Sequence, residues 1–421
     1  MGTLVLALHM GVQAQVSLSG TVTSQGRPVR NARITLVALG LTTLTDSLGQ
    51  YHLVATTSLS PDIKSWARRS NALPIRNTGD AKYLSVNGRW HSEGWAREAV
   101  SAIPRYGSSN IQQPGLSKVS GIDNLKCSAR GYHDTVATVA NYLDMIDIAL
   151  MRDTRRHMWI WGSTVATVSS ERDSLFAFAS LKNIGTFYLD CGGIINNTND
   201  VLGKFIDSAH THGFAVELLF GSPAWTLTSN HGIPVGIAQK AVTLVQNLLA
   251  QGRPLPTSIQ MDVEPYSLTE WTTDENGTAN QLIDMYEKIA AVLKGSGLGI
   301  SACIPRWFDG RMVTRSAKTR PLSDWLADTT DRLTLMDYVD NAASIIADAA
   351  HEVAYADTIG KEVVIGVETI PGLQPPSVTF AEEGEAAMNA ALALTITQFQ
   401  SHASFYGVAI HHWRTYPSMK P

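Results

Sequence analysis

Apolar and polar positions repeat with two different periods along this chain, and the change of period falls near Arg156. Upstream, short runs alternate with period two and are punctuated by turn residues: Ser19-Gly20-Thr21-Val22-Thr23, then Gly26-Arg27-Pro28-Val29, then Ala32-Arg33-Ile34-Thr35-Leu36. Thr45-Asp46-Ser47-Leu48-Gly49-Gln50-Tyr51-His52-Leu53 continues the series. Side chains of a strand point alternately to its two faces, so this pattern predicts antiparallel strands with one buried face, as in a β-sandwich. Strand-like patterns return at 124–132 and 142–150, while about 58–121 is rich in Ser, Asn, Arg and Gly and reads as a long insertion. A hairpin is expected within it at 86–90.

Downstream, apolar strands alternate with amphipathic helical patterns, which predicts a parallel sheet with helical crossovers. Strands are expected at 158–162, 185–190, 215–220, 258–264, 299–304, 333–338, 363–368 and 407–412. Helices are expected at 199–212, 236–250, 280–294, 344–359 and 382–400. Eight such units match a TIM (β/α)8 barrel in count and length, whereas a doubly wound sheet would want a Gly-rich phosphate turn that is missing here. The expected fold is multi-domain: an all-β sandwich over 15–153, a linker Asp153-Thr154-Arg155-Arg156, and an α/β barrel over 157–421 that carries the chemistry.

Composition narrows the classes. The 421 residues carry a formal net charge of −4 and 17% charged residues, with no Lys/Arg cluster interleaved with aromatics, so nucleic acid is not an expected partner. No segment reaches the ~18 uninterrupted apolar residues of a membrane span. Residues 1–14 hold an apolar run followed by Val12-Gln13-Ala14, a small-x-small pattern that suits a signal peptide cleaved after Ala14. A basic n-region is missing, since the first Arg is Arg27. The expectation is a secreted protein, released or held at the cell surface by other means. Cys127, Cys191 and Cys303 offer neither a disulfide framework nor zinc spacing, and no HExxH is present, so no cofactor or metal is called for.

In a barrel of this kind the working residues sit at the C-terminal ends of the strands. Strand four ends in Asp262-Val263-Glu264-Pro265-Tyr266, and the period of two puts both carboxylates on the inward face. A like-charge neighbour and partial burial both raise a carboxyl pKa, so one of the pair can stay protonated and act as an acid. Other strand ends supply Asp190, Arg306 and Trp307, Tyr338 and Asp340, Glu368, and His411-His412-Trp413. Each alone is equally a cap or an ion pair, but their convergence at one rim points to a site. Trp413, Trp307, Tyr266 and Trp225 are candidates for stacking on sugar rings, because aromatic faces offer apolar area at small entropic cost.

Two parts of the chain resemble known families. Gly20-x-Val22, Gly26-x-Pro28-Val29-x-x-Ala32-x-Ile34 and Thr45-Asp46-x-x-Gly49-x-Tyr51-x-Leu53 resemble the carboxypeptidase regulatory-like domain, which implies a transthyretin-like spacer or carbohydrate-binding-like module. In the barrel, Asp262-x-Glu264, Met336-x-Tyr338 and Trp413 resemble the chitinase-like glycoside hydrolases. That resemblance implies Glu264 as the acid, Asp262 positioning a substrate N-acetyl group, and Tyr338 supporting an oxazolinium-type intermediate. The family's further upstream Asp residues are Gln260 and Thr257 here. Glu264 and Glu368 also match, in ordinal strand position, the acid/base and nucleophile of clan-A retaining glycosidases, although that clan's Asn-Glu is Val263-Glu264 here.

The resulting reading is a glycoside hydrolase cleaving a polysaccharide or oligosaccharide. Its catalytic residues would be Glu264, Glu368 and Asp262, and substrate would be bound by Asp190, Tyr266, Trp307, Tyr338, Asp340, His412 and Trp413. Two alternatives stay open. One is a non-catalytic polysaccharide-binding or cell-surface protein on the same barrel. The other is a metal-dependent hydrolase or deacetylase in which His411 or His412 converges with Asp190 or Asp262.

Overall fold

The computed structural model describes residues 13–24, 27–29, 32–37, 41–46, 48–58, 75–78, 81–86, 89–92, 123–128, 135–139, 145–150, 152–196 and 200–421. The chain divides into two compact units, Met1–Arg152 and Asp153–Pro421.

In the first unit the strands are β1 (Gln13–Ser24), β2 (Arg27–Pro28), β3 (Arg33–Leu36), β4 (Leu41–Leu44), β5 (Gln50–Ser58), β6 (Ile75–Thr78), β7 (Ala81–Val86), β8 (Arg89–Ser92), β9 (Asp123–Ser128), β10 (Thr135–Val139) and β11 (Ile148–Ala149). One sheet runs β11-β1-β2 with β5 also on β1, and a second runs β10-β9-β3-β4. The period-two pattern decides which residues are covered. Leu18 and Val22 of β1 are buried together with Ile34 and Leu36 of β3, Leu53 of β5, and Leu125 and Cys127 of β9, in one apolar cluster drawn from both sheets. Gly20 is required by close approach, since a Cβ there would lie 2.0 Å from the Ile146 carbonyl oxygen. The expected hairpin appears as β7 and β8, paired from Val86 to Arg89, with β6 completing a three-stranded sheet. Most of the expected leader, 1–12, lies outside the described residues, while Gln13 and Ala14 open β1 and pair with Ser58 and Thr57.

In the second unit the order is β12 (Arg156–Ile160), α1 (Thr164–Thr167), α2 (Ser169–Leu181), β13 (Ile184–Asp190), α3 (Val201–Thr211), β14 (Ala215–Phe220), α4 (Gly232–Ala250), β15 (Ser258–Met261), α5 (Thr269–Thr273), α6 (Glu275–Leu293) and β16 (Gly299–Pro305). It continues with β17 (Met312–Arg315), β18 (Lys318–Pro321), α7 (Leu322–Thr329), β19 (Arg332–Met336), α8 (Ala342–Ile359), β20 (Glu362–Glu368), α9 (Glu385–Phe399) and β21 (Phe405–His411). The eight parallel strands β12-β13-β14-β15-β16-β19-β20-β21 form a closed barrel, sealed by β21 against β12 at His157↔Ala409 and Met158↔Ile410. Caps end several helices where the sequence supplies them. Asp274 accepts from Gly277 N at the start of α6, Asn341 accepts from Ser344 N at the start of α8, and Gly360 adopts the left-handed conformation after it.

The barrel interior is layered, and each layer answers to the alternation of its strands. At the N-terminal end, Arg332 Nη1 donates to Glu217 Oε1 at 2.5 Å, its other nitrogen pairs with Glu362 at 3.1 Å, and its guanidinium lies 3.9 Å from the Tyr406 ring centroid. The middle layer is mostly apolar: Trp159, Leu219, Cys303, Val364 and Ala409 are buried there, with Gln260 Nε2 donating to Cys303 Sγ at 3.1 Å. Gly366 makes room for it, because a Cβ would meet the Trp159 ring at 2.6 Å. The top layer holds the cavity described next. One expected strand is shorter than its pattern: β15 stops at Met261, and Glu264 lies beyond it at the start of a 3-10 turn over Pro265–Ser267.

Candidate active site

A cavity of about 330 Å3 opens at the C-terminal ends of the barrel strands. Its wall is built by Trp161 after β12, Gly221, Ser222 and Pro223 after β14, Asp262 and Glu264 after β15, Met336 and Tyr338 at and after β19, and His411 ending β21. Its size is at the low end of the ~300–1,000 Å3 typical of ligand pockets. Gly221 permits the two neighbouring strand ends to close up, because a Cβ there would lie 2.0 Å from the Asp262 carbonyl oxygen.

Asp262 and Glu264 stand side by side in that wall. Burial and the adjacent Glu264 carboxylate push the Asp262 carboxyl up to about 7. Asp262 Oδ1 is buried without a hydrogen-bond partner. Tyr266 donates its hydroxyl to Glu264 Oε1 at 2.8 Å, and among the described residues Glu264 has no Lys, Arg or His partner at ion-pair distance. Burial, with Glu264 close by, raises the Tyr266 phenol far above its ordinary value. The site therefore offers a proton-holding carboxyl next to a second carboxyl, both facing space large enough for a ligand.

Of the residues singled out in the sequence, Asp262, Glu264 and Tyr338 meet in the cavity wall. The others take different places. Glu368 is buried at the foot of the wall: Oε1 accepts from Thr369 N at 2.7 Å and Ile370 N at 2.8 Å, and His411 Nδ1 lies 3.0 Å from Oε1 and 2.9 Å from Oε2. Both its oxygens are thus engaged, Oε1 by two backbone N–H groups and Oε2 by His411. Asp190 closes a local turn by accepting from Gly192 N and ties it to the end of β12 by accepting from Gly162 N. Asp340 receives the Asn341 amide at 3.3 Å. Trp413 is buried in the core outside the barrel and packs on Phe178 at 5.4 Å between ring centroids. Trp307 sits in an aromatic group with Tyr266 at 5.2 Å and Phe308 at 5.0 Å, covered by Arg311. Trp225 is half-buried against the same outer core.

The eighth strand shows how one residue changes the outcome. His412, expected to bind substrate, lies outside the wall and accepts from Arg414 N at 3.2 Å, with burial holding its imidazole down at about 4. Its neighbour His411 faces the cavity instead. Trp161, which precedes the first expected turn and carried no signal beyond its place at a strand end, stands in the wall with Tyr338 and His411. Among the described residues no group of three or more His, Cys, Asp or Glu is placed to hold a metal ion. No described helix is long and apolar enough to cross a membrane.

No protein-family model matches the chain, and no curated protein matches it. Among solved structures it is similar to a GH18 chitinase from Pseudoalteromonas aurantia, at 13% identity over 62% of this chain and 94% of that chain, with a TM-score of 0.40. It is similar to a chitinase from Chromobacterium violaceum ATCC 12472, at 12% identity over 62% of this chain and 95% of that chain, TM-score 0.40. An exo-beta-1,4-mannosidase, Op5Man5, from Opitutaceae bacterium strain TAV5 aligns at 14% identity over 62% of this chain and 52% of that chain, TM-score 0.40.

Proposed function

We propose that the barrel hydrolyses glycosidic bonds of an N-acetylated polysaccharide or oligosaccharide. Glu264 protonates the leaving oxygen, and the acetamido group of the substrate serves as nucleophile. The observation that carries this reading is the pairing of Asp262 and Glu264 in one cavity wall, with Asp262 pushed up to about 7. A carboxyl that keeps its proton near neutrality can donate a hydrogen bond to an amide, and it loses that ability as it ionises. Asp262 would hold the acetamido group, Tyr338 would support the cyclic intermediate from the end of β19, and Glu264 would take back a proton from the attacking water.

The choice of a substrate nucleophile over a protein one is supported by Glu368. A retaining glycosidase with its own nucleophile needs a second carboxylate facing the anomeric carbon. Glu368 is 2% exposed and engaged by two backbone N–H groups and His411. The first unit would act as a regulatory-like β-sandwich that spaces or tethers the barrel, and secretion fits a polymer substrate outside the cell.

The test is hydrolysis of N-acetylated chito-oligosaccharides against matched oligosaccharides that lack the acetamido group. Activity on the acetamido series alone, lost in Glu264→Gln, is the expected result. Equal rates on both series would remove the substrate-nucleophile reading, and equal activity in wild type and Glu264→Gln would remove the catalytic assignment.

A further inference from the structure

His411 touches a donor on one side and an acceptor on the other. The Trp161 indole donates Nε1–H to His411 Nε2 at 2.6 Å, and His411 Nδ1 lies 3.0 Å from Glu368 Oε1. An indole nitrogen can only donate, so Nε2 must accept and the ring proton must sit on Nδ1. That proton is given to Glu368, whose side chain is 3% exposed against 13% for His411. Glu368 in turn is fixed by Thr369 N and Ile370 N. The order of donors therefore runs in one direction, from the indole through the imidazole to a carboxylate anchored on backbone. Trp161 and His411 both line the cavity, while Glu368 lies behind them.

We propose that Glu368, His411 and Trp161 form a positioning relay: the buried carboxylate sets the imidazole tautomer, and the imidazole holds the indole as a fixed wall against which a sugar ring is seated. This rests on the carbohydrate reading of the cavity and adds to it the residues that orient the ring. An indole presents a flat apolar face, and fixing its one polar atom removes the rotamer freedom that would otherwise be lost on binding. The remaining ring neighbours of His411 restrict it further: Trp159 and Tyr338 both lie 5.7 Å from it between centroids, and His412 lies 4.7 Å from it.

The relay has a consequence that simple packing lacks. His411 Nδ1 also lies 2.9 Å from Oε2, so in Glu368→Gln, with the amide oxygen keeping the two backbone bonds at the Oε1 position, the amide N–H takes the Oε2 position and faces Nδ1. The imidazole must move its proton to Nε2, which sets two donors against each other at Trp161. A substitution behind the wall should thus release a residue it does not touch.

The experiment uses the full chain with 15N-labelled histidine, the His411 signal being identified by its loss in His411→Gln. The Nδ1–H tautomer is expected in the wild type and the Nε2–H tautomer in Glu368→Gln. Oligosaccharide affinity is then measured in a Glu264→Gln background, where no turnover intervenes. Trp161→Phe and His411→Phe should each weaken binding about ten-fold, near the upper size of one lost hydrogen bond. Glu368→Gln added to Trp161→Phe should weaken it no further, and His411→Gln, which keeps an acceptor and a donor on one planar group, should retain most of it. An Nε2–H tautomer in the wild type, an unchanged tautomer in Glu368→Gln, or additive losses in the double variant would overturn the relay. Failure of every sugar to bind would instead defeat the carbohydrate reading, while the tautomer still decides the hydrogen-bond order.

Discussion

The two ends of the barrel interior both enclose carboxylates, but only one end neutralises them. At the N-terminal end Glu217 is 1% exposed and faces Arg332, which also reaches Glu362 and lies over the Tyr406 ring. At the C-terminal end Asp262 and Glu264 share a wall with no cation beside them among the described residues. A buried ion pair offers no proton for chemistry, and removing one partner alone is felt as lost stability. Two carboxylates left together raise the free energy of the charged state, which is the condition for holding a proton where chemistry needs one. Burial of charge thus separates structure from function only when the partner is named.

The sharpest way to break this contrast is to neutralise the upper pair. Glu264→Gln should lower kcat/KM by about 10²–10⁴-fold, the usual contribution of a general acid, with no loss of thermal stability. The converse holds below. Arg332→Met leaves Glu217 buried without its cation and should destabilise the fold by about 3–5 kcal/mol in urea unfolding, and adding Glu217→Leu should restore part of that loss. If instead Arg332→Met were silent in stability, the Arg332–Glu217 pair would not be what neutralises the buried carboxylate.

A third prediction concerns pH. The Asp262 carboxyl lies at about 7 in the folded chain and at an ordinary carboxylate value when unfolded, so the folded state holds the extra proton between those limits. Stability therefore falls as pH rises from about 4 through about 7. Asp337, pushed up to about 8 by burial and the nearby Asp348, and Glu352, pushed up to about 7 by burial, slope the same way. Asp262→Asn should remove its own share, so the difference between variant and wild type in unfolding free energy should grow across that window; a flat difference would place the proton elsewhere. The smallest effect is expected from Tyr266→Phe. Losing its bond to Glu264 should change kcat/KM by several-fold, corresponding to about 1 kcal/mol, without altering the unfolding midpoint beyond experimental spread.

The barrel's strands were legible because each is an apolar run bounded by turns, and their order followed from alternation with helices. What escaped the pattern were helix α2 and the short elements between β16 and β19. The hairpin β17–β18 and helix α7 lie between β16 and β19, where their brief patterns fell below the length that separates an element from a loop. Within the site, Asp262 and Glu264 were readable because two carboxylates at period two on an apolar strand have few structural uses. Glu368 had the same look of a charged strand end, yet the partners that engage it come from its own following turn and from a neighbouring strand. His411 and His412 are indistinguishable by type, and only the closing of β21 against β12 and β20 selects the first for the cavity.

By itself the sequence determined the change of architecture near Arg156 and the eightfold repeat, because both are carried by local period and by the alternation of strands with helices. Tertiary structure alone decided that Glu368 is buried among donors, that Trp161 and not Trp413 stands in the wall, and that burial beside Glu264 raises the Asp262 carboxyl. Those outcomes depend on which groups closure brings within a few ångströms of one another, and on how far it removes them from water.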